Sequence, residues 1–172
     1  MKSEEWKSKQ YCACGAIETI EHIIFECKLH KAKRTWKLLK ETWTRIDNKG
    51  YKLPKLNMNI IKGLSCIRMN KGKGRRNFEE DKSVTKRLKT LIGLTVWTIW
   101  KNRNSRIFNE TVVTKKLLME TWKTTLRERI SLEWKIIDLN PRTKGLEQTK
   151  FADKWANAVK IPDKGKALAV TL

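Results

Sequence analysis

Apolar positions along this chain recur mostly at spacings of three and four, the period of an amphipathic helix. From Lys31 to Ile46, residues Trp36, Leu38, Leu39, Trp43 and Ile46 share one face, and Lys and Glu fill the other. That pattern predicts a helix of about four turns. A broader stripe runs from Val84 to Phe108 through Val84, Leu88, Leu91, Ile92, Val96, Ile99, Trp100 and Ile107, with Ser83 placed to cap its start. A third passes through Val113, Leu117, Leu118, Trp122, Leu126, Ile130 and Trp134, with Thr111 or Thr114 as its cap. The turn between the last two, around Asn109–Glu110, is short, so they are expected to pack as an antiparallel pair.

Pro141 and Gly145 close that region, a final helix is expected over Leu146 to Val159, and Pro162 and Gly165 mark a loose tail. Lys49 to Asn59, with Gly50 and Pro54, reads as a linker, and Asn57 to Cys66 as one short helix. Alternating strand patterns and internal repeats are missing from the sequence. The expected fold is all-α: a small stapled segment at 1–30, a basic amphipathic helix at 31–48, a linker and basic loop at 49–82, a helical hairpin at 83–138, and a C-terminal helix with its tail at 139–172.

Composition adds a partner to this picture. The 172 residues are 40% apolar and include eight tryptophans, enough for a real core. Lys and Arg number 39 against 18 Asp and Glu, a net charge of +21. Such an excess repels itself unless an anion screens it, and nucleic acid is the commonest such anion. The charge is segregated. Residues 1–27 carry three Lys against five Glu, net −2, whereas residues 49–90 carry thirteen basic against three acidic side chains, net +10. The densest part is Asn70 to Arg87, "NKGKGRRNFEEDKSVTKR". No apolar run approaches the ~20 residues of a membrane span, and "MKSEEWKSKQ" has no signal-peptide core. The expected location is nuclear or cytoplasmic rather than secreted, where clustered cysteines favour a metal over a disulfide.

Such a cluster exists. Cys12, Cys14 and Cys27 fall within sixteen residues, "CACGAIETIEHIIFEC", with His22 between them. Three thiolates and an imidazole form a closed Cys3His set, the kind that holds structural Zn2+. Gly15 sits where a tight turn often needs positive φ, and Thr19 is placed to cap a helix carrying His22 and Cys27. Residues five apart on an α-helix stand about 140° apart. His22 and Cys27 therefore share a metal only if that helix is irregular or ends between them. His30, three residues after Cys27, is a rival fourth ligand on spacing alone. Cys66 has no Cys or His nearby and reads as a small buried hydrophobe.

The string "CGAIETIEHIIFEC" resembles the C-terminal zinc-binding segment of non-LTR retrotransposon polyproteins. There a cysteine pair and a glycine precede an "ET-x-EH" core, and a cysteine follows five residues after the histidine. The matching positions are Cys12, Cys14, Gly15, Glu18, Thr19, Glu21, His22 and Cys27, and Trp36 answers to a tryptophan usual soon after the last cysteine. Val96 to Phe108, "VWTIWKNRNSRIF", resembles the "IWK-x-RN-x-x-IF" stretch that follows it in plant and fungal members. The two matches span about residues 11–108. The pair here is C-x-C, where C-x2-C is more usual. The resemblance implies Zn2+ on Cys12, Cys14, His22 and Cys27, preferring His22 to His30. It also implies a tail that helps a reverse transcriptase engage RNA or DNA. With Met1 eleven residues before Cys12, the chain reads as such a tail detached from its polymerase.

Polymerase and RNase H chemistry need clustered carboxylates around two metal ions, and the acids here are scattered. A non-catalytic binder is therefore expected. It would contact phosphates of RNA or DNA through Arg34, Lys37 and Lys40, through Lys71, Lys73, Arg75 and Arg76, and through Lys101, Arg103 and Arg106. A retroelement polymerase is a further expected partner, and no membrane. The other reading is a protein-interaction module or inert element fragment with only a structural zinc. Trp36, Trp43, Trp97, Trp100, Trp122 and Trp134 lie mostly on apolar stripes and read as core, whereas Trp6 and Trp155 are the better candidates for exposure.

Overall fold

The computed structural model describes residues 11–71, 79–140, 142–160 and 168–171. A π-helical turn, His22–Glu26, precedes α1 (Ala32–Ile46), and α2 (Met58–Lys62) follows. Then come a 3-10 turn at Leu64–Cys66, β1 (Asn70–Lys71), β2 (Glu79–Glu80), α3 (Lys82–Asn109), α4 (Lys115–Asp138) and α5 (Lys144–Trp155). A second 3-10 turn at Ala156–Ala158 leads to β3 (Val159–Lys160) and β4 (Ala169–Val170).

The fold is mostly helical but not purely so. β1 pairs antiparallel with β2, Asn70 opposite Glu80, and β3 with β4, Val159 opposite Val170. Ladders two residues long carry no alternation to read. The helix expected over Asn57 to Cys66 divides at Gly63. The last helix starts at Lys144 and gives way after Trp155 to the 3-10 turn and β3.

Local chemistry sets the helix ends. Asn57 caps α2 by accepting the Ile60 amide at 3.1 Å. Asp81, not Ser83, caps α3: its Oδ1 accepts the Val84 amide at 3.1 Å, because the helix begins at Lys82. Of the two threonines proposed for α4, Thr114 is the cap, taking the Leu117 amide at 3.2 Å. α3 ends at Glu110, which adopts a left-handed φ of 51° and donates its amide to the Ser105 carbonyl.

The core is built around α3, which α1, α4, α5 and the π turn all contact. Val84, Leu88, Leu91, Ile92 and Ile99 of α3 are fully buried. So are Thr95 and Thr98, whose hydroxyls bond the carbonyls of Leu91 and Leu94, each at 2.8 Å. A helix enclosed on most sides needs such self-satisfied polar residues. Four indoles act as bolts, with their N–H groups satisfied. Trp36 donates to the Ile24 carbonyl at 2.7 Å and Trp43 to the Tyr51 carbonyl at 2.8 Å. Trp122 donates to Thr42 at 3.2 Å and Trp155 to Glu133 at 3.0 Å.

Several expectations are corrected. Trp155 is fully buried, held by that Glu133 bond, whereas Trp97 and Trp100 are 54% and 42% exposed. They lie on α3 and line an open apolar groove of ≈ 440 Å³ with Ile20, Ile61 and Leu64. Cys66 is exposed, not buried. Arg87, counted among the residues of the basic loop, is fully buried. It pairs with Asp47 and lies 4.7 Å over the Trp43 ring, so its charge is spent inside the fold. Trp6, Pro141, Pro162 and Gly165 lie outside the described residues.

Candidate metal centre

Two local devices bring the ligand candidates together. The first is a tight hairpin. Tyr11 bridges Ile17, the Cys12 amide donates to the Ala16 carbonyl at 2.8 Å, and the Gly15 amide donates to the Cys12 carbonyl at 2.8 Å. Gly15 takes φ 88°, as its position suggests, so Cys12 and Cys14 reach the same end of the loop. The second is the π turn. Thr19 Oγ1 accepts the His22 amide at 3.0 Å at its start, and the Cys27 amide donates to the His22 carbonyl at 2.8 Å at its end. Closing the ring one residue later than an α-helix widens the turn. His22 and Cys27, which an α-helix would point apart, then face one point.

The result is a cluster of Cys12, Cys14, His22 and Cys27 whose ligand atoms all lie within 4.8 Å of one another. Cys12 and Cys27 Sγ are 3.6 Å apart, and Cys14 Sγ is 3.2 Å from His22 Nε2. Such a set can hold a metal ion. Cys12, Cys27 and His22 are buried and Cys14 faces solvent, so the centre sits just under the surface. Burial pushes the Cys12 thiol up to about 11. The Ala16 amide, which hydrogen-bonds the Cys14 sulfur, draws that thiol down to about 7. Cys14 is thus the thiol readiest to become a thiolate ligand.

His30 stands beside this group and not in it. Its Nε2 lies 3.4 Å from Cys12 Sγ, yet it does not share the 4.8 Å enclosure of the four. Burial first, then the nearby Arg103 charge, hold its imidazole below the ordinary value. A neutral His30 is therefore a hydrogen-bond neighbour for the Cys12 sulfur. On the other side, Glu26 Oε2 comes 3.6 Å from His22 Nδ1, one turn along. A carboxylate behind a ligating histidine orients the ring. Spacing alone does not single out His30 and Glu26 for these parts.

The segment around Glu18 and the Val96–Phe108 stretch of α3 meet here. Arg103 of α3 grips Glu18 with Nη2 and, at 2.6 Å, with Nε. Asn102 donates to the His30 carbonyl at 3.4 Å. The "ETIEH" and "WKNRN" runs are therefore one structural unit, which sequence order alone does not reveal. The knuckle is not detached from the helices, since its Ile23 and Ile24 belong to the main core.

The residues read as phosphate contacts are scattered. Lys37 and Lys40 are exposed on α1, and Lys37 lies 3.8 Å from Glu41. Arg34 is half-buried, with Nη2 3.9 Å from the Met119 sulfur. Lys101 is exposed on α3, while Arg103 is engaged with Glu18 and, with Arg106, lines a hollow beside Cys12 and His30. Lys73, Arg75, Arg76 and the Lys71 side chain lie outside the described residues. Among the described residues no helix is long and apolar enough to cross a membrane. No family model, curated protein or solved structure matches the chain.

Proposed function

We propose that this chain is a non-catalytic nucleic-acid-binding module whose N-terminal knuckle is held by one Zn2+, of the kind found at the C-terminus of non-LTR retrotransposon polyproteins. The observation that carries the zinc assignment is the convergence of Cys12, Cys14, His22 and Cys27. Zinc bonds of about 2.3 Å to sulfur and 2.0–2.1 Å to nitrogen place tetrahedral ligands roughly 3.5–3.8 Å apart. The Cys12–Cys27 and Cys14–His22 separations of 3.6 and 3.2 Å are close to that spacing. Four protein ligands fill the coordination sphere, which supports a structural and not a hydrolytic ion.

Charge supports the binding half of the reading. The net +21 is kept apart from the acidic knuckle, so the metal positions the helices while basic side chains beyond it reach phosphates. Such contacts carry little sequence preference. Fluorescence anisotropy of the zinc-loaded protein with a labelled mixed-sequence RNA tests this. Affinity falls by orders of magnitude between about 50 and 200 mM salt if several phosphates are neutralised. An affinity that does not change with salt contradicts the reading.

A further inference from the structure

The start of α3, the C-terminal half of α4 and α5 enclose a cleft of ≈ 800 Å³. Six of its thirteen lining residues are Lys or Arg, against 39 of 172 in the whole chain, so cations are concentrated there about twofold. They are Lys82, Lys86, Lys89, Arg129, Lys150 and Lys154.

Among the described residues only two acids oppose them, and both are engaged. Glu133 accepts Lys154 at 2.9 and 3.0 Å, the Trp155 indole at 3.0 Å and Arg129 Nε at 3.2 Å. Glu147 accepts Lys150 at 2.7 Å. Lys89 donates to the neutral Ser65 carbonyl at 2.8 Å. Lys82 and Lys86 have no carboxylate partner among the described residues. The described lining therefore keeps an excess of four positive charges between walls that include the side chains of Ile137 and Phe151. A concave, partly apolar surface of one sign focuses its field. Lys82 and Ser83 belong to the first turn of α3, whose positive end adds to it. Burial keeps the Lys154 ammonium below the ordinary value despite Glu133, and the Arg129 and Lys86 charges add smaller contributions in the same direction.

The geometry points to this cleft as the seat of a phosphodiester strand of RNA or DNA, an inference that rests on the nucleic-acid reading above and names where its phosphates bind. Lys82, Lys86 and Lys89 form a row down one face of α3. At 1.5 Å per residue the row is about 10 Å long, which spans successive phosphates of a strand better than a single free phosphate.

The test uses the zinc-loaded full chain, a labelled oligouridylate and inorganic polyphosphate. Lys82→Gln with Lys86→Gln removes two exposed cations without leaving a carboxylate of the described residues unpaired. Lys115→Gln with Lys116→Gln removes the same charge from the distant, exposed start of α4. The first variant weakens oligouridylate binding at least tenfold at low salt and lowers the salt slope by roughly 1 to 2, and the second changes both far less. Equal losses in both variants overturn the cleft and leave the nucleic-acid reading standing. A native protein that binds no oligouridylate at low salt overturns that reading and the cleft with it. Binding of polyphosphate without oligouridylate likewise overturns the strand assignment.

Discussion

The Cys27 amide donates to the His22 carbonyl at 2.8 Å, an i to i+5 bond that defines a π turn between two metal-ligand candidates. The turn then ends, since Cys27 itself is extended (φ −62°, ψ 117°). π turns inside helices are rare and frequent at functional sites. Here the turn has an identifiable purpose, because it cancels the angular mismatch that a five-residue spacing creates on an α-helix.

The opposite jaw depends on Gly15 at φ 88°, where an L side chain is strained whatever room surrounds it. Gly15→Ala costs about 1–2 kcal/mol in that conformation. Because metal binding and folding of the knuckle are coupled, metal affinity drops by about 5- to 30-fold. Competition with a chromophoric chelator measures this, and an unchanged affinity contradicts the hairpin geometry.

The Glu18–Arg103 pair should tie the knuckle to α3. Both side chains are mostly covered, at 15% and 19% exposure. A double-mutant cycle with Glu18→Gln and Arg103→Gln, read by urea unfolding, is expected to give a coupling energy of about 0.5–3 kcal/mol. Additive single effects would mean that the pair contributes nothing.

How much of this was readable in the sequence depended on how many sides of an element are covered. α1 has one buried face, so its stripe from Trp36 to Ile46 mapped onto the structure almost residue for residue. α3 is enclosed on most sides, and its buried Arg87, Thr95 and Asn102 look polar in sequence. Periodicity also does not tell which part of a wide apolar arc meets a neighbour, and Trp100 fell on an exposed part of it, beside the exposed Trp97. The candidate ligand cluster was visible because Cys and His are rare. The π turn was not, since the register of backbone hydrogen bonds leaves no mark on residue type. The cleft between α3, α4 and α5 draws its cations from three separated stretches, so no single run announced it.

Arg87 is the sharpest stability test. It is fully buried and pairs with Asp47, whose side chain is 5% exposed and also accepts the Tyr51 amide at 2.7 Å. Arg87→Ala leaves that carboxylate buried without its cation and is expected to cost about 3–5 kcal/mol. Chemical denaturation measures the loss. A cost under about 1 kcal/mol would show that Asp47 is solvated in the folded protein.

Acid sensitivity centres in part on Asp81, which is almost fully buried and accepts Lys49 at 3.0 Å and Tyr51 at 3.2 Å. Burial by itself would raise its pKa, but the Val84 amide and the Lys49 ammonium outweigh it and hold the carboxyl below its ordinary 3.8. A depressed folded pKa contributes stability that is fully present above 3.8 and is lost as pH falls through the lower folded value. Asp81→Asn removes this contribution. The variant is less stable than the native protein near neutral pH, and the gap narrows below about pH 4. A gap that stays constant down to pH 2 would contradict it.

The central claim is that Cys12, Cys14, His22 and Cys27 hold one zinc ion, and native mass spectrometry with elemental analysis of the purified chain tests it most directly. The expected result is one Zn2+ per chain, lost on Cys27→Ser and retained on Cys66→Ser. A chain that carries no metal after purification and takes up none from added zinc would contradict it.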